Sequence, residues 1–457
     1  MYTQVLKPVI HGGFVPKHLT PWLAFAAAAA LTCLPIGSTA TPQKMDSFNI
    51  DRSRSILRDA YDLVKKHYYD PNIHGLNWDA RYHDYDEKIK NVPNIGQAFG
   101  VVAGFLDGLK DSHAFFSPPA RTNRVDYGFR IQLFGDSAFV TRMRPGSDAE
   151  TKLHAGDQVI NFNRFDVNRA DFQMLTYYYW SLAPQAATQL VLRDPAGQQR
   201  EVTVESKTRV MQKVLNLTGD DNGADIWQLI REAENSDHIV RQRYVERGDV
   251  MIWKMPEFEL GDAEVDRLIG IARKHKALIL DLRGNPGGYV DTLARMVGGI
   301  LDHDVKIAER KGRKDLKPQI AKSRGGSAFS GKLIVLVDSS SASAAELFAR
   351  VVQLEHRGTV LGDHSSGSVM EARFYPCSQG ADTKFFYGFS ITDADLIMAD
   401  GKSLEHTGVV PDELLLPTAK DLASGSDPVL ARAAQLAGVT LEPAAAGKLF
   451  PFEWLPL

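Results

Sequence analysis

Two strand–turn–helix units constrain this chain more than any other feature. Ala277–Asp281 (ALILD) runs into the turn Leu282–Gly288 (LRGNPGG), and Lys332–Asp338 (KLIVLVD) runs into Ser339–Glu346 (SSSASAAE). Each unit is an apolar run of strand length, a turn rich in Gly or Ser, then an amphipathic helix. The alternation predicts an α/β sheet with helices packed against it. The carboxyl ends of neighbouring strands in such a sheet converge on one crevice.

That crevice has the parts for acyl transfer. Ser343 begins a helix, where its hydroxyl is exposed. Taken alone, Ser343-Ala344-Ala345-Glu346 is a capping box and needs no catalytic role. Three more serines precede it, so spacing does not choose among them. The consecutive glycines Gly287 and Gly288 let peptide N–H groups approach a ligand unobstructed. The N–H of Gly287 or Gly288, with that of Ala344, is placed to hold a tetrahedral oxyanion. A serine nucleophile needs a base. His113, in Leu109-Lys110-Asp111-Ser112-His113, is one of 13 histidines. Glu405, in Leu404-Glu405-His406-Thr407-Gly408, reads alone as a solvated loop carboxylate.

The chain has 457 residues, with 44% hydrophobic and 24% charged, which fits two or three globular domains. A net charge of −3 argues against a nucleic acid as the main partner. Near the N-terminus, Lys7, Lys17 and His18 precede an apolar run, Pro21–Pro35, and then Ser38-Thr39-Ala40. This fits an export signal over residues 1–40, cleaved after Ala40, with a periplasmic or secreted product that has no membrane span. Only Cys33 and Cys377 occur. No disulfide framework is expected, and Cys377 reads as a small apolar residue.

Along the rest of the chain, residues 41–120 read as a helical segment, broken by the irregular YYDPNIHGLNWD. A calcium loop at Asp70 is rejected, because Pro71 and Arg81 fall where it needs a free N–H and a bidentate Glu. Residues 121–210 read as a β-rich module with one helix, about Arg169–Leu182. Residues 211–420 hold the α/β core. Within it, Met211–Asp249 is polar and helix-prone, and Lys311–Gly326 reads as an exposed loop. Residues 421–457 form a tail, with a short helix at Asp427–Leu436 and an apolar end, LFPFEWLPL.

These residues resemble the S41 serine peptidases, the carboxy-terminal processing and tricorn-type proteases. LKDSHAFF resembles their Asp-x-His segment, RPGSDAETKLHAGDQVINFN their PDZ module, and EHTGVVPD their last motif. DLRGNPGG followed at this separation by SASAAE is the specific signal. The resemblance implies a ClpP/crotonase-like peptidase core with an inserted PDZ-like domain, and no cofactor or metal. It places the nucleophile at Ser343. The Lys of the processing subgroup is replaced by Ser368, whereas Ser112, His113, Ser343 and Glu405 match the tricorn-like pattern. An acyl-enzyme at Ser343 with His113 as base, acting on protein or peptide substrates, is the expectation. Tyr127, Gly128, Phe129 and Arg130 would receive a peptide by strand addition. A catalytically inactive peptide-binding scaffold, a hydrolase of other acyl substrates and homo-oligomerisation stay open.

Overall fold

The computed structural model describes residues 45–119, 123–210, 242–380 and 385–454. The signal segment and residues 211–241 of the polar stretch lie outside the described residues.

The core sheet has six strands in the order Arg243–Arg247, Val250–Lys254, Ala277–Asp281, Lys332–Val337, Gly358–Gly362 and Glu413–Leu414. The first pair is an antiparallel hairpin and every later pair is parallel. Parallel neighbours need crossovers, here supplied by helices such as Asp262–Ala272 and Ala344–Leu354. Side chains alternate between faces. Leu278, Leu280, Val335 and Val337 join one apolar core with these helices, while Ile279, Ile334 and Leu336 join another with Val429, Leu430 and Ala433. The helix Pro428–Leu436 thus covers the second face, and burial on both sides explains why both central strands are continuously apolar.

A second sheet carries the N-terminal helices to the core. Its long strand, Phe385–Ile397, pairs with Met370–Gln379, Val305–Gly312 and the short strand Phe115–Ser117. The helices Ser47–His67, Trp78–Ile89 and Ile95–Asp107 share one apolar core with Phe116, Phe389 and Ile391. Pairing of Phe115 with Ser390 fixes the segment immediately before it, which contains His113.

The β-rich module has a six-stranded sheet, with Phe129–Phe134 as an edge strand beside Ser137–Met143. Asn123–Asp126 pairs with Lys207–Val210 where the chain enters and leaves. The helix Arg169–Tyr177 ends in a wider turn, Tyr178–Leu182. The edge strand docks on the core. Ser339 Oγ donates to Leu133 O at 2.7 Å, and Gly135 N–H and Arg169 both reach Asp363.

Three local expectations need correction. Lys311–Gly326 is not a plain loop, because Lys311 and Gly312 end a strand and Gln319–Ala321 forms another. Lys311 lies on a strand, Arg313, Lys314 and Lys317 lie in the connection to the edge strand Gln319–Ala321, and Lys322 and Arg324 follow it. Residues 243–247, within the stretch read as helix-prone, form a strand, since the turn at Gly248 folds them onto Val250–Lys254. The turn RPGSDA runs on into a helix, Asp148–Lys152, capped by Ser147. No helix among the described residues is long and apolar enough to cross a membrane.

Candidate active site

Ser343 is the N-cap of the helix Ala344–Leu354 and has φ 52°, ψ −116°. A positive φ in a non-Gly residue costs about 1–3 kcal/mol and persists only where its surroundings enforce it. Here the enforcers are visible. Ser343 N–H donates to Ser368 O at 2.9 Å and to Glu346 Oε2 at 3.0 Å. Glu346 N–H donates to the Ser343 carbonyl at 2.9 Å, with the hydroxyl a looser second acceptor, so the capping role leaves Oγ available.

Glu346 does more than cap. It is fully buried, at 0% exposure. It also accepts Ser365 Oγ at 2.6 Å, Gly367 N–H at 2.7 Å and Ser368 N–H at 3.0 Å. Burial pushes its carboxyl up to about 7, against the pull of these donors. Sequence reading saw the cap but not this hub, because the other donors come from a distant segment.

The glycine turn lies against the nucleophile. A Cβ on Gly287 would stand 2.7 Å from Ser343 Cβ and 3.0 Å from Ala344 N. Gly287 N–H is committed to Asn285 Oδ1 at 2.8 Å. The N–H groups of Gly288 and Ala344 have no acceptor among the described residues, so of the two glycines it is Gly288 that offers a donor. The buried Asn285, read in the sequence only as a turn former, orients the turn. Its Nδ2 donates to Met255 O, and its carbonyl accepts Ala342 N–H, both at 2.9 Å. Beneath it, Arg283 bridges Asp281 and Asp427, and although burial pushes the Asp281 carboxyl up, the Arg283 guanidinium and the Lys254 ammonium hold it far below its usual range.

Ser112, His113 and Glu405 meet, although the first two lie almost 300 residues from the third. Glu405 accepts Ser112 N–H at 2.8 Å and Ser112 Oγ–H at 2.9 Å. Ser112 Oγ lies 2.8 Å from His113 Nδ1. A hydroxyl has one proton, and here it goes to the carboxylate. Nδ1 must therefore donate to Oγ, which leaves Nε2 with its lone pair. Burial lowers the His113 pKa below its ordinary value and favours this neutral ring. Burial also raises the Glu405 pKa, opposed by the N–H groups of Ser112 and Val369. Asp111 shapes the turn by accepting His113 N–H at 2.9 Å and Thr392 Oγ1 at 2.7 Å.

Adjacent residues join the two halves. Ser368 O takes Ser343 N–H at 2.9 Å, and Val369 N–H ends on Glu405 Oε2 at 2.8 Å. No hydrogen bond links His113 to Ser343 directly among the described residues. His406 Nε2 lies 2.7 Å from Lys110 O, which occupies that ring elsewhere.

The proposed peptide-receiving residues divide. The side chains of Tyr127 and Phe129 are only 2% and 1% exposed. They pack in the module core, so neither side chain is presented to a ligand. Gly128 N–H is taken by Asp126 Oδ1 at 2.8 Å. Arg130 is the half-exposed member of the four. Cys377 is half-buried, and burial pushes its thiol up to about 12, which keeps it protonated.

The peptidase family S41 model matches residues 249–415, and the tricorn protease C1 domain model matches residues 52–94. Residues 249–415 form an S41 serine peptidase domain. A putative tricorn protease homolog 2 of Streptomyces coelicolor is 24% identical over 413 residues, covering 84% of this chain and 32% of that protein. The tail-specific protease of Haemophilus influenzae is 23% identical over 295 residues, covering 62% of this chain and 39% of that protein. The chain thus spans only about a third to two fifths of the length of these relatives. The fold is shared with mature CPAF, at TM-score 0.60 and 17% identity, over 82% of this chain and 95% of that one.

Proposed function

We propose that this S41 chain is an exported serine endopeptidase of the tricorn-like subgroup. His113 Nε2 takes the Ser343 proton as Oγ attacks a peptide carbonyl, then returns it to the leaving amine. The N–H groups of Gly288 and Ala344 hold the oxyanion, and water hydrolyses the acyl-enzyme. Glu405 keeps His113 in the required tautomer through Ser112. The β-rich module acts as a PDZ-like peptide receiver beside the site. The observation that carries the reading is the Ser112 bridge, which spends its proton on Glu405 and so commits His113 Nδ1 to donation.

Labelling with a serine-directed fluorophosphonate tests it. The intact chain should label, Ser343→Ala should not, and His113→Ala should label slowly. A chain that takes no label under conditions where it remains folded defeats the proposal. A scaffold without turnover is the second reading, favoured by the missing direct His113–Ser343 hydrogen bond. It predicts peptide binding with no label. Export is tested by the mass of the mature chain, which should begin at Thr41.

A further inference from the structure

The segment Pro451–Trp454 does not end in solvent. Upstream of it, Leu449 and Phe450 pack on the core shared with the helix Pro428–Leu436. Arg243, on the outermost core strand, donates from Nη1 to Pro451 O at 2.8 Å and pairs through Nη2 with Glu453. Phe452 and Trp454 stand edge to face, with ring centroids 5.0 Å apart. Trp454 then crosses to the β-rich module. The Arg144 guanidinium lies 4.3 Å from its ring centroid, and that of Arg130 lies 5.6 Å away.

Two guanidiniums on one indole make a specific seat, since a cation over the ring face is attracted by its quadrupole. The seat is rigid. Arg144 is buried and ion-paired to Asp126 at 2.6 Å, while its N–H donates to Gly128 O at 2.8 Å. It directly follows the strand Ser137–Met143, whose Met143 pairs with Phe129 at the start of the edge strand.

We infer that the Arg130–Arg144 face is a receptor for an aromatic side chain of a bound peptide, and that the resting chain fills it with its own Trp454. The inference deepens the peptide-receiver reading of the module and rests on it. The internal segment is covalently tethered, so its effective concentration excludes weak competitors. A peptide that also pairs along the edge strand gains contacts beyond the indole seat and so displaces the segment.

The test uses the full chain with Ser343→Ala, so that no peptide is cut. A fluorescein-labelled peptide of residues 446–457 is titrated and followed by anisotropy. Trp454→Ala should bind it at least tenfold more tightly than the parent. Adding Arg130→Ala to Trp454→Ala should weaken binding at least tenfold, as should replacing the tryptophan in the peptide. Equal affinity with and without Trp454, or affinity indifferent to Arg130, overturns the inference. The two readings fail separately. A chain that labels with fluorophosphonate but does not bind the peptide loses only the receptor, and one that binds but never labels loses only the peptidase.

Discussion

Glu405 takes both the backbone N–H and the hydroxyl of Ser112, at 2.8 and 2.9 Å. This double grip makes Ser112 an acceptor toward His113 and not a competing donor. Ser112→Ala or Glu405→Gln should therefore act through tautomer and orientation. Losing one charge-assisted hydrogen bond is worth about 1.5–3 kcal/mol, or roughly a 10- to 100-fold fall in kcat/KM. His113→Ala should cost more, about 10²–10⁴-fold. Steady-state kinetics on one peptide substrate checks the order. A Glu405→Gln enzyme at full activity would show that nothing passes through Ser112.

The buried ring also sets a pH dependence. Burial lowers the His113 pKa, so the neutral base persists to lower pH than a free imidazole allows. The acidic limb of the pH–kcat/KM profile should fall below about 6.5, the ordinary histidine value. The same linkage bears on stability. Between the folded and the unfolded pKa the unfolded chain binds more protons, so this contribution is complete above about 6.5 and is lost as pH falls through the lower folded value. A limb above 6.5 that is unchanged in His113→Gln would assign the base elsewhere.

Both strand–turn–helix units were legible because their signals are local: apolar runs, a Gly-Gly turn, and a Ser and Glu at capping distance. The partnership of His113 with Glu405 was legible only through the family resemblance, not from any local signal. It depends on Phe115 pairing with Ser390, a register set by long-range packing of Phe116 against Phe389. Asn285 and Glu346 looked like a turn former and a cap because their further partners, Met255, Ser365, Gly367 and Ser368, lie far along the chain. The motif marks Tyr127 and Phe129 as positions for strand addition, while the burial of their side chains depends on Trp180 against both rings and on the Tyr179 carbonyl, which accepts the Tyr127 hydroxyl.

Glu346 offers a sharper test of the nucleophile turn. Its carboxylate faces the donors of Ser343, Ser365, Gly367 and Ser368. Glu346→Gln turns an amide NH₂ toward at least one of them and leaves a buried donor unpaired, a loss of about 1–3 kcal/mol. Because Ser343 is held at positive φ by these bonds, labelling should slow far more than the melting temperature falls. Ser368→Ala, which deletes only a bond to Ser366 Oγ, should change kcat/KM by no more than a few-fold. A large Ser368→Ala defect would give that hydroxyl a role in the chemistry.

The glycines flanking the nucleophile fail in different places. Alanine at Gly287 drives a methyl into Ser343 Cβ and Ala344 N, whereas alanine at Gly288 strikes the Phe258 backbone, 2.5 Å from its carbonyl oxygen. Both positions have positive φ, 103° and 142°. Gly287→Ala should thus abolish labelling while the melt stays cooperative, and Gly288→Ala should lower both activity and melting temperature. Wild-type labelling by Gly287→Ala would mean that the turn and Ser343 separate in solution.

Gln132 ties the β-rich module to this machinery. Its Nε2 donates to Asp338 Oδ2 at 2.6 Å, while Oδ1 of the same carboxylate accepts Gly284 N–H at 2.9 Å and Ser340 N–H at 3.0 Å. One buried carboxylate thus joins the module's edge strand, the glycine turn and the serine loop. Arg169 holds the module at Asp363, further from the glycine turn. Gln132→Ala and Arg169→Ala each remove one tie, worth about 1 kcal/mol in stability or somewhat more for the charged pair. If Asp338 couples module position to the site, Gln132→Ala should lower kcat roughly tenfold, a loss of about 1.4 kcal/mol in transition-state stabilisation, and Arg169→Ala should leave kcat near wild type. Equal kinetic effects from the two would reduce Gln132 to an ordinary docking contact.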